Sequence, residues 1–392
     1  MDRFIHKISL QNFLSFGAKI QTLELLPLNI LIGPNGSGKS NFLEAIEIFR
    51  TTTGDLTSLM REGGGTKEWL WKGSEQPPTA AISAVIDNPK GVQSLSYLLS
   101  FTVAGQRFEI IDERIENELP HGDKSNPLSF YQFNRGKPLL RPSKKKEQPV
   151  ATANFDFERS ILAQRRDPEI YPAITYLGDA FSSMRLYREW NFGRDTKARR
   201  PQSTDMPNVY LEKDASNLAL VLNYLQGTPQ TKIMLSEYLK KLYAAFDDYL
   251  VLIEGGTAQL VFQEKGKHSS IPATRLSDGT LRFLCLLAIL LHPKPPRLIC
   301  IEEPELGLHP DIIPVVAELL KDASTRMQII VTTHSDILVD AMTDSPEAVV
   351  VVERHATGTV MQRLSQDTIE PFLEEYRLGQ LWLSGQVGGT RW

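Results

Sequence analysis

Three short runs of the chain are apolar almost throughout rather than at alternate positions: Leu28 to Ile32, Leu298 to Ile301 and Gln328 to Thr332. Such runs predict parallel strands covered on both faces. Each leads into a polar cluster, and in open α/β sheets ligands bind beyond the carboxyl ends of such strands. A second pattern holds from 79 to 115, where Thr79 to Ile86, Leu95 to Val103 and Arg107 to Ile115 read as strands joined by short turns. With Ile5 to Leu10 and Lys19 to Leu25 they predict an antiparallel sheet beside the parallel core. Residues 116–157 are rich in Pro, Gly and Lys, with Lys144-Lys145-Lys146 among them, and predict a loop or hairpin excursion. Glu158 to Phe246 reads as mainly helical, with Leu218, Leu222 and Leu225 at helical spacing and a break at Gly227-Thr228-Pro229. No heptad pattern is sustained, which argues against a long coiled coil. Ala348 to Glu353 and Thr359 to Leu364 predict a hairpin, followed by a helix over about Ile369 to Leu383. The glycine-rich end, Gly385 to Trp392, reads as a flexible tail. The expected division is 1–157, an N-terminal lobe; 158–270, a mainly helical insertion; and 271–392, a C-terminal lobe.

The 392 residues carry a net charge of −4, with 41% hydrophobic and 23% charged positions, ordinary for a soluble globular chain. The longest apolar stretch, Leu281 to Leu291, is too short for a membrane span and contains Arg282. The amino terminus has no apolar leader core. Cys285 and Cys300 both lie in apolar runs, as expected of buried thiols in a cytoplasmic protein. No Cys/His spacing suits a metal cluster.

The first apolar run ends in Gly33-Pro34-Asn35-Gly36-Ser37-Gly38-Lys39-Ser40, which satisfies G-x-x-x-x-G-K-[ST] in full. It opens an amphipathic pattern at Phe42, Ile46 and Phe49, so strand, loop and helix follow in the required order. Glycines let the backbone wrap a phosphate chain, with Asn35, Gly36, Ser37, Gly38 and Asn41 around it, and the helix amino terminus favours anions. Lys39 is expected on the β- and γ-phosphates of ATP and Ser40 on Mg²⁺. The second run ends in Glu302-Glu303, the form of a Walker B element. Glu302 is expected to hold Mg²⁺ and Glu303 to act as general base toward water. After the third run, His334 is placed either to donate to the γ-phosphate or to cap the next helix. Leu276-Ser277-Asp278-Gly279-Thr280 precedes the Leu281 helix, with Ser277 placed to cap it.

Taken together, the order of Walker A, a segment resembling the LSGGQ signature, Walker B and a switch histidine resembles ABC-type ATPases. Ile8 to Phe16, Gly33 to Asn41 and Glu302-Glu303-Pro304-Glu305-Leu306-Gly307-Leu308-His309-Pro310 resemble RecF/SMC/OLD-type members in particular. Leu186-Tyr187-Arg188-Glu189-Trp190 and the terminal Gly388 to Trp392 resemble their prokaryotic single-chain relatives. The resemblance implies an α/β head with a parallel core sheet, an antiparallel β lobe and a helical insertion lobe. It also implies ATP hydrolysis, and a homodimer or higher even oligomer in which Ser277 and Gly279 of one copy cap the nucleotide at Lys39 of the other. Glu302 stands where Asp is commoner, Asp278 replaces a glycine, and the Q-loop residue has two candidates, Gln164 and Gln132.

Residues 135–200 hold 15 basic and 8 acidic residues, net +7, leaving the rest at −11. Arg185, Tyr187, Arg188, Trp190, Arg194, Lys197, Arg199 and Arg200 interleave aromatics with base. The pattern fits a DNA-backbone contact, or else a solvated basic face or salt bridges to acids elsewhere in the chain. Two functions remain open: DNA sensing or processing in anti-phage defence or repair, or a regulatory ATPase that cages or activates a separate nuclease or toxin without touching DNA. Too little chain follows His334 for a nuclease domain, so no nuclease activity is expected in this chain. No membrane partner is expected.

Overall fold

The computed structural model describes residues 3–89, 91–120, 125–134, 136–142, 148–149, 155–188 and 190–389. The Lys144–Lys146 run, Glu189 and Thr390 to Trp392 lie outside them.

The three apolar runs are neighbouring parallel strands, as their composition predicts. They lie in a six-stranded sheet ordered Arg185–Tyr187, Leu298–Glu302, Gln328–Thr332, Leu28–Ile32, Val349–His355 and Gly358–Arg363. The first five are parallel and the last turns back as a hairpin. Alternate side chains of these strands enter different cores. Leu31, Leu298, Cys300 and Ile330 pack with Phe42, Phe49 and the antiparallel lobe. Ile30, Ile299, Ile301, Ile329 and Val331 pack with Leu284, Leu287, Val316 and Leu320. Burial on both faces is why these strands carry no polar alternation.

The antiparallel lobe is an eight-stranded sheet, ordered Gln21–Glu24, Ile5–Gln11, Ala80–Ile86, Leu95–Ala104, Arg107–Pro120, Pro127–Asn134, Lys137–Leu140 and Gln148–Pro149. The expected excursion after 115 therefore extends this sheet. In the segment read as mainly helical, Pro172–Ser182, Leu218–Gln226 and Pro229–Leu242 are helices. That reading needs correction at two places. Arg185–Tyr187 is the edge strand of the parallel sheet, too short for a periodicity to show. Phe246–Glu254 and Thr257–Glu264 form a hairpin. Its turn is Gly255-Gly256, with φ 55° and 78°, the left-handed pair that a tight two-residue hairpin requires.

The expected terminal helix is two helices, Gln366–Leu373 and Leu378–Leu383. Arg377 reaches Asp340 (Nε to Oδ2, 2.5 Å) and begins the second, where Gln380 Oε1 accepts from the Arg377 amide. The described part of the expected flexible tail is tied down. Trp382 Nε1 donates to the Gly389 carbonyl and the Gly389 amide to Glu353 Oε1, both at 2.8 Å. Among the described residues no helix is long and apolar enough to cross a membrane.

Candidate nucleotide site

The phosphate loop runs from the strand Leu28–Ile32 into the helix Lys39–Thr51. Gly33, Gly36 and Gly38 have φ of 147°, 75° and 113°, a region that side chains other than glycine rarely occupy. At Gly38 a Cβ would also strike the Thr359 hydroxyl. Thr359 Oγ1 donates to the Ser37 carbonyl (2.7 Å), and Asn41 Nδ2 donates to Ser15 Oγ (2.8 Å). The loop is thus braced by the carboxy-terminal hairpin and by the Asn12–Phe16 turn. Asn41 serves that brace, while Asn35 and Gly36 form the exposed tip.

Lys39 Nζ donates to the carbonyls of Gly33 (2.8 Å) and Pro34 (3.1 Å). Burial lowers its pKa to about 8, against the opposing pull of Glu303, Glu302 and Glu305. The Ser37 hydroxyl is buried and finds no partner among the described residues. An orphaned donor, a buried ammonium and a loop of positive-φ glycines together fit a phosphate chain.

The strand Leu298–Glu302 lies parallel to Gln328–Thr332, which lies beside the phosphate-loop strand. This register brings Glu302 Oε1 into hydrogen-bond contact with Ser40 Oγ. Two hard oxygens meeting at one point fit a Mg²⁺ ion. Glu302 Oε2 accepts from Arg188 Nε (3.0 Å), whose Nη1 also donates to Glu44 Oε1 (2.6 Å). Arg188 follows the edge strand that flanks the Walker B strand, and nothing in its sequence spacing marked it for this place.

Glu303 leaves the strand with φ 46°, a left-handed conformation uncommon for a residue with a side chain. Its amide donates to the Thr332 carbonyl (2.9 Å), and Arg282 Nη1 donates to its own carbonyl (3.1 Å). The turn separates the two carboxylates, aiming Glu303 toward the third strand. There His334 Nε2 stands 3.6 Å from Glu303 Oε1. Partial burial raises the pKa of Glu303, helped by Glu305 and Glu302. Glu305 Oε1 accepts from the Thr333 hydroxyl (2.6 Å) and the His334 amide (3.0 Å), so it fixes the turn that presents the histidine. Glu305 stood inside the Walker B segment, but its role follows only from the adjacency of the strands.

The structure therefore brings together Lys39, Ser40, Glu302, Glu303 and His334. It does not bring in Gln164, whose amide binds its own preceding loop: Oε1 accepts from the Asp156 amide, and Nε2 donates to the carbonyls of Asp156 and Arg159. Gln132 lies on the antiparallel sheet, paired with Arg114 and Leu139. Ser277 caps the helix Asp278–Leu290, its Oγ accepting from the Thr280 amide at 3.1 Å. With Gly279 it lines a concavity of about 800 Å³ that also includes Tyr243, Gly307 and His309 but no phosphate-loop residue.

Residues 28–340 match a family of P-loop ATPases, AAA_21, described as "AAA domain, putative AbiEii toxin, Type IV TA system". The chain belongs to this family. Over 98 residues it is 36% identical to the chromosome partition protein Smc of Desulfitobacterium hafniense (strain Y51), covering 24% of this chain and 8% of that protein's length. It superposes on a solved Smc head bound to the C-winged helix domain of ScpA with a TM-score of 0.57 and 16% identity, covering 93% of this chain and 99% of that one. A Smc head with an extended coiled coil, bound to the C-terminal domain of ScpA and derived from Pyrococcus furiosus, gives 0.56 and 15%, covering 95% and 99%. The fold of this AAA_21 member is thus that of an ABC-type, SMC-like ATPase head.

Several described residues of the basic middle region have partners in this fold. Tyr187 is buried and donates to the Leu211 carbonyl, and Trp190 packs under Arg282. Arg188 holds Glu302, Arg199 is buried, Lys197 pairs with Asp214 and Arg200 with Asp195. Arg188, Arg199, Tyr187 and Trp190 thus have partners within the fold, whereas the Lys197–Asp214 and Arg200–Asp195 pairs stand at the surface.

Proposed function

We propose that this chain binds and hydrolyses ATP between two copies of itself, and that engagement and release of the heads regulate a separate effector. The observation that carries this reading is the separation of two half-sites. Lys39, Ser40, Glu302 and Glu303 converge at the ends of adjacent strands, whereas Ser277 and Gly279 stand in a different concavity. A second copy turned to face the first completes each site.

Within that site Lys39 and the phosphate-loop amides bind and orient the phosphates. Ser40 and Glu302 are the residues that would hold Mg²⁺, which supplies neutralisation of charge developing on the transferred group. Glu303 takes the proton of the attacking water, and His334 donates toward the γ-phosphate. Arg188 has to leave Glu302, or share it, when a cation is bound there. The two buried thiols, Cys285 and Cys300, fit a cytoplasmic location.

A second reading keeps DNA as the trigger, in defence or repair. It is supported by the likeness to Smc and by the excess of positive charge over 135–200. The effector reading is preferred because Arg188, Arg199, Tyr187 and Trp190 are engaged inside the fold.

The experiment is complementation. Lys39→Ala removes ATP binding or turnover, and Ser277→Arg blocks hydrolysis while its monomer still binds ATP. In purified heterodimers of the two, one composite site is intact, and activity returns. No recovery in such heterodimers refutes the sandwich.

A further inference from the structure

The signature segment departs from the ABC pattern at Asp278, and the fold gives that residue a partner. Arg199, in the short turn Lys197–Arg199, is 5% exposed. Its Nη2 donates to Asp278 Oδ1 and its Nη1 to the carbonyls of Leu276 and, at 3.2 Å, Ala273. Its Nε is shared between the carbonyls of Phe192 (3.0 Å) and Gly193 (3.2 Å). One planar cation thus holds the chain on both sides of Ser277, at Leu276 and at Asp278. The opposite side of the loop is closed by Gly307, whose carbonyl would lie 2.8 Å from a Cβ at Gly279. Between these two restraints the Ser277–Gly279 backbone has little freedom.

The chemistry suits a brace more than a stabilising ion pair. A buried guanidinium needs several acceptors in its plane, and here four carbonyls and one carboxylate supply them. The Asp278 side chain is 65% exposed, so the pair contributes little to stability in water. What the pair fixes is direction: among the described residues Asp278 is the only anion that accepts a hydrogen bond from Arg199, and it sits one residue from the serine.

We propose that Arg199, acting through Asp278, is the positioning residue of the signature loop. It presents Ser277 and Gly279 in the orientation needed to cap nucleotide held by a second copy. The inference rests on the two-headed reading above and adds to it a residue that acts only on the partner's side of the site.

The test uses Asp278→Ala, whose side chain is exposed, and Arg199→Lys as a second variant. Each lowers kcat about ten-fold, the scale of losing one charge-assisted hydrogen bond, while ATP affinity of the monomer is unchanged. The decisive readout is the side on which the defect falls. A purified heterodimer of Asp278→Ala with Lys39→Ala regains activity, because its surviving site uses the signature of the Lys39→Ala chain. A heterodimer of wild type with the double variant Lys39→Ala/Asp278→Ala stays near the level of Asp278→Ala. A loss of folding would follow the chain and not the face. Arg199→Lys combined with Asp278→Ala costs no more than Arg199→Lys alone; additive losses overturn the assignment. If the Asp278→Ala heterodimer fails to recover while the Ser277→Arg heterodimer recovers, the brace is wrong and the sandwich stands. If neither recovers, both are wrong.

Discussion

Glu302 and Glu303 are chemically identical neighbours, and the structure gives them different surroundings through one dihedral. At the strand end Glu302 keeps extended geometry and meets Ser40 and Arg188. Glu303 turns to φ 46° and approaches His334. Strain of this kind costs on the order of 1–3 kcal/mol and persists where the surroundings enforce it. Here the enforcing contacts are the Glu303 amide on Thr332 and Arg282 on the Glu303 carbonyl. Glu303→Gln keeps size and hydrogen bonding but cannot take a proton. Turnover should fall by about 10²–10⁴-fold while ATP binding persists, so the ATP-bound dimer accumulates. Chromatography with ATP and Mg²⁺ beside a turnover assay checks this. Normal turnover in Glu303→Gln, with Glu302→Gln losing hydrolysis but keeping Mg²⁺, reverses the assignment of the two acids.

At the scale of elements, the antiparallel lobe is fastened to the Ser160–Gln164 turn by one buried carboxyl. Glu113, on the strand Arg107–Pro120, accepts from Tyr97 Oη (2.8 Å), from Ser160 Oγ and from the Ile161 amide (3.0 Å). Burial outweighs these bonds and raises its pKa from 4.5 to about 7. Between those values the folded chain binds a proton that the unfolded chain has released. Stability from this group is therefore present at the acid end of the window and is lost as pH rises through about 7. The full change is on the order of 3 kcal/mol. Thermal unfolding at pH 5 and pH 8 should show a larger fall for the wild type than for Glu113→Gln. Equal falls would remove Glu113 from the account. The same reasoning gives Ser277 two roles, since as a helix cap its loss costs about 1 kcal/mol whatever it does for nucleotide.

For the whole molecule, the proposed division of the site between two copies makes activity depend on concentration. ATPase per chain should rise with protein concentration until dimers saturate, while nucleotide binding per chain stays constant. A flat activity across dilution opposes the divided site. DNA is tested separately, by anisotropy at several salt concentrations. Backbone binding falls steeply with salt because each neutralised phosphate releases counterions. The effector reading expects no binding at low salt, with or without ATP. Salt-sensitive binding that is lost in Arg194→Ala, an exposed position outside the braces, restores the DNA reading.

The sequence by itself determined the parallel strands, the phosphate loop, both acids of the Walker B element and the capping serine of the signature helix. These are local facts: runs buried on two faces lose alternation, phosphate loops need glycine, and a helix start needs a cap. The hairpin at Gly255-Gly256 is equally local, its turn set by two glycines, but it directly follows the helical spacing of Pro229–Leu242. Tertiary structure alone decided which distant residues meet. Arg188 reaches Glu302 across 114 positions, Thr359 closes on Ser37 across 322, and Arg199 reaches Asp278 across 79. Composition counted those arginines as a basic patch, because charge along a chain does not reveal which acids the fold will bring opposite. Strand order settles that, and strand order depends on how two cores share the faces of one sheet.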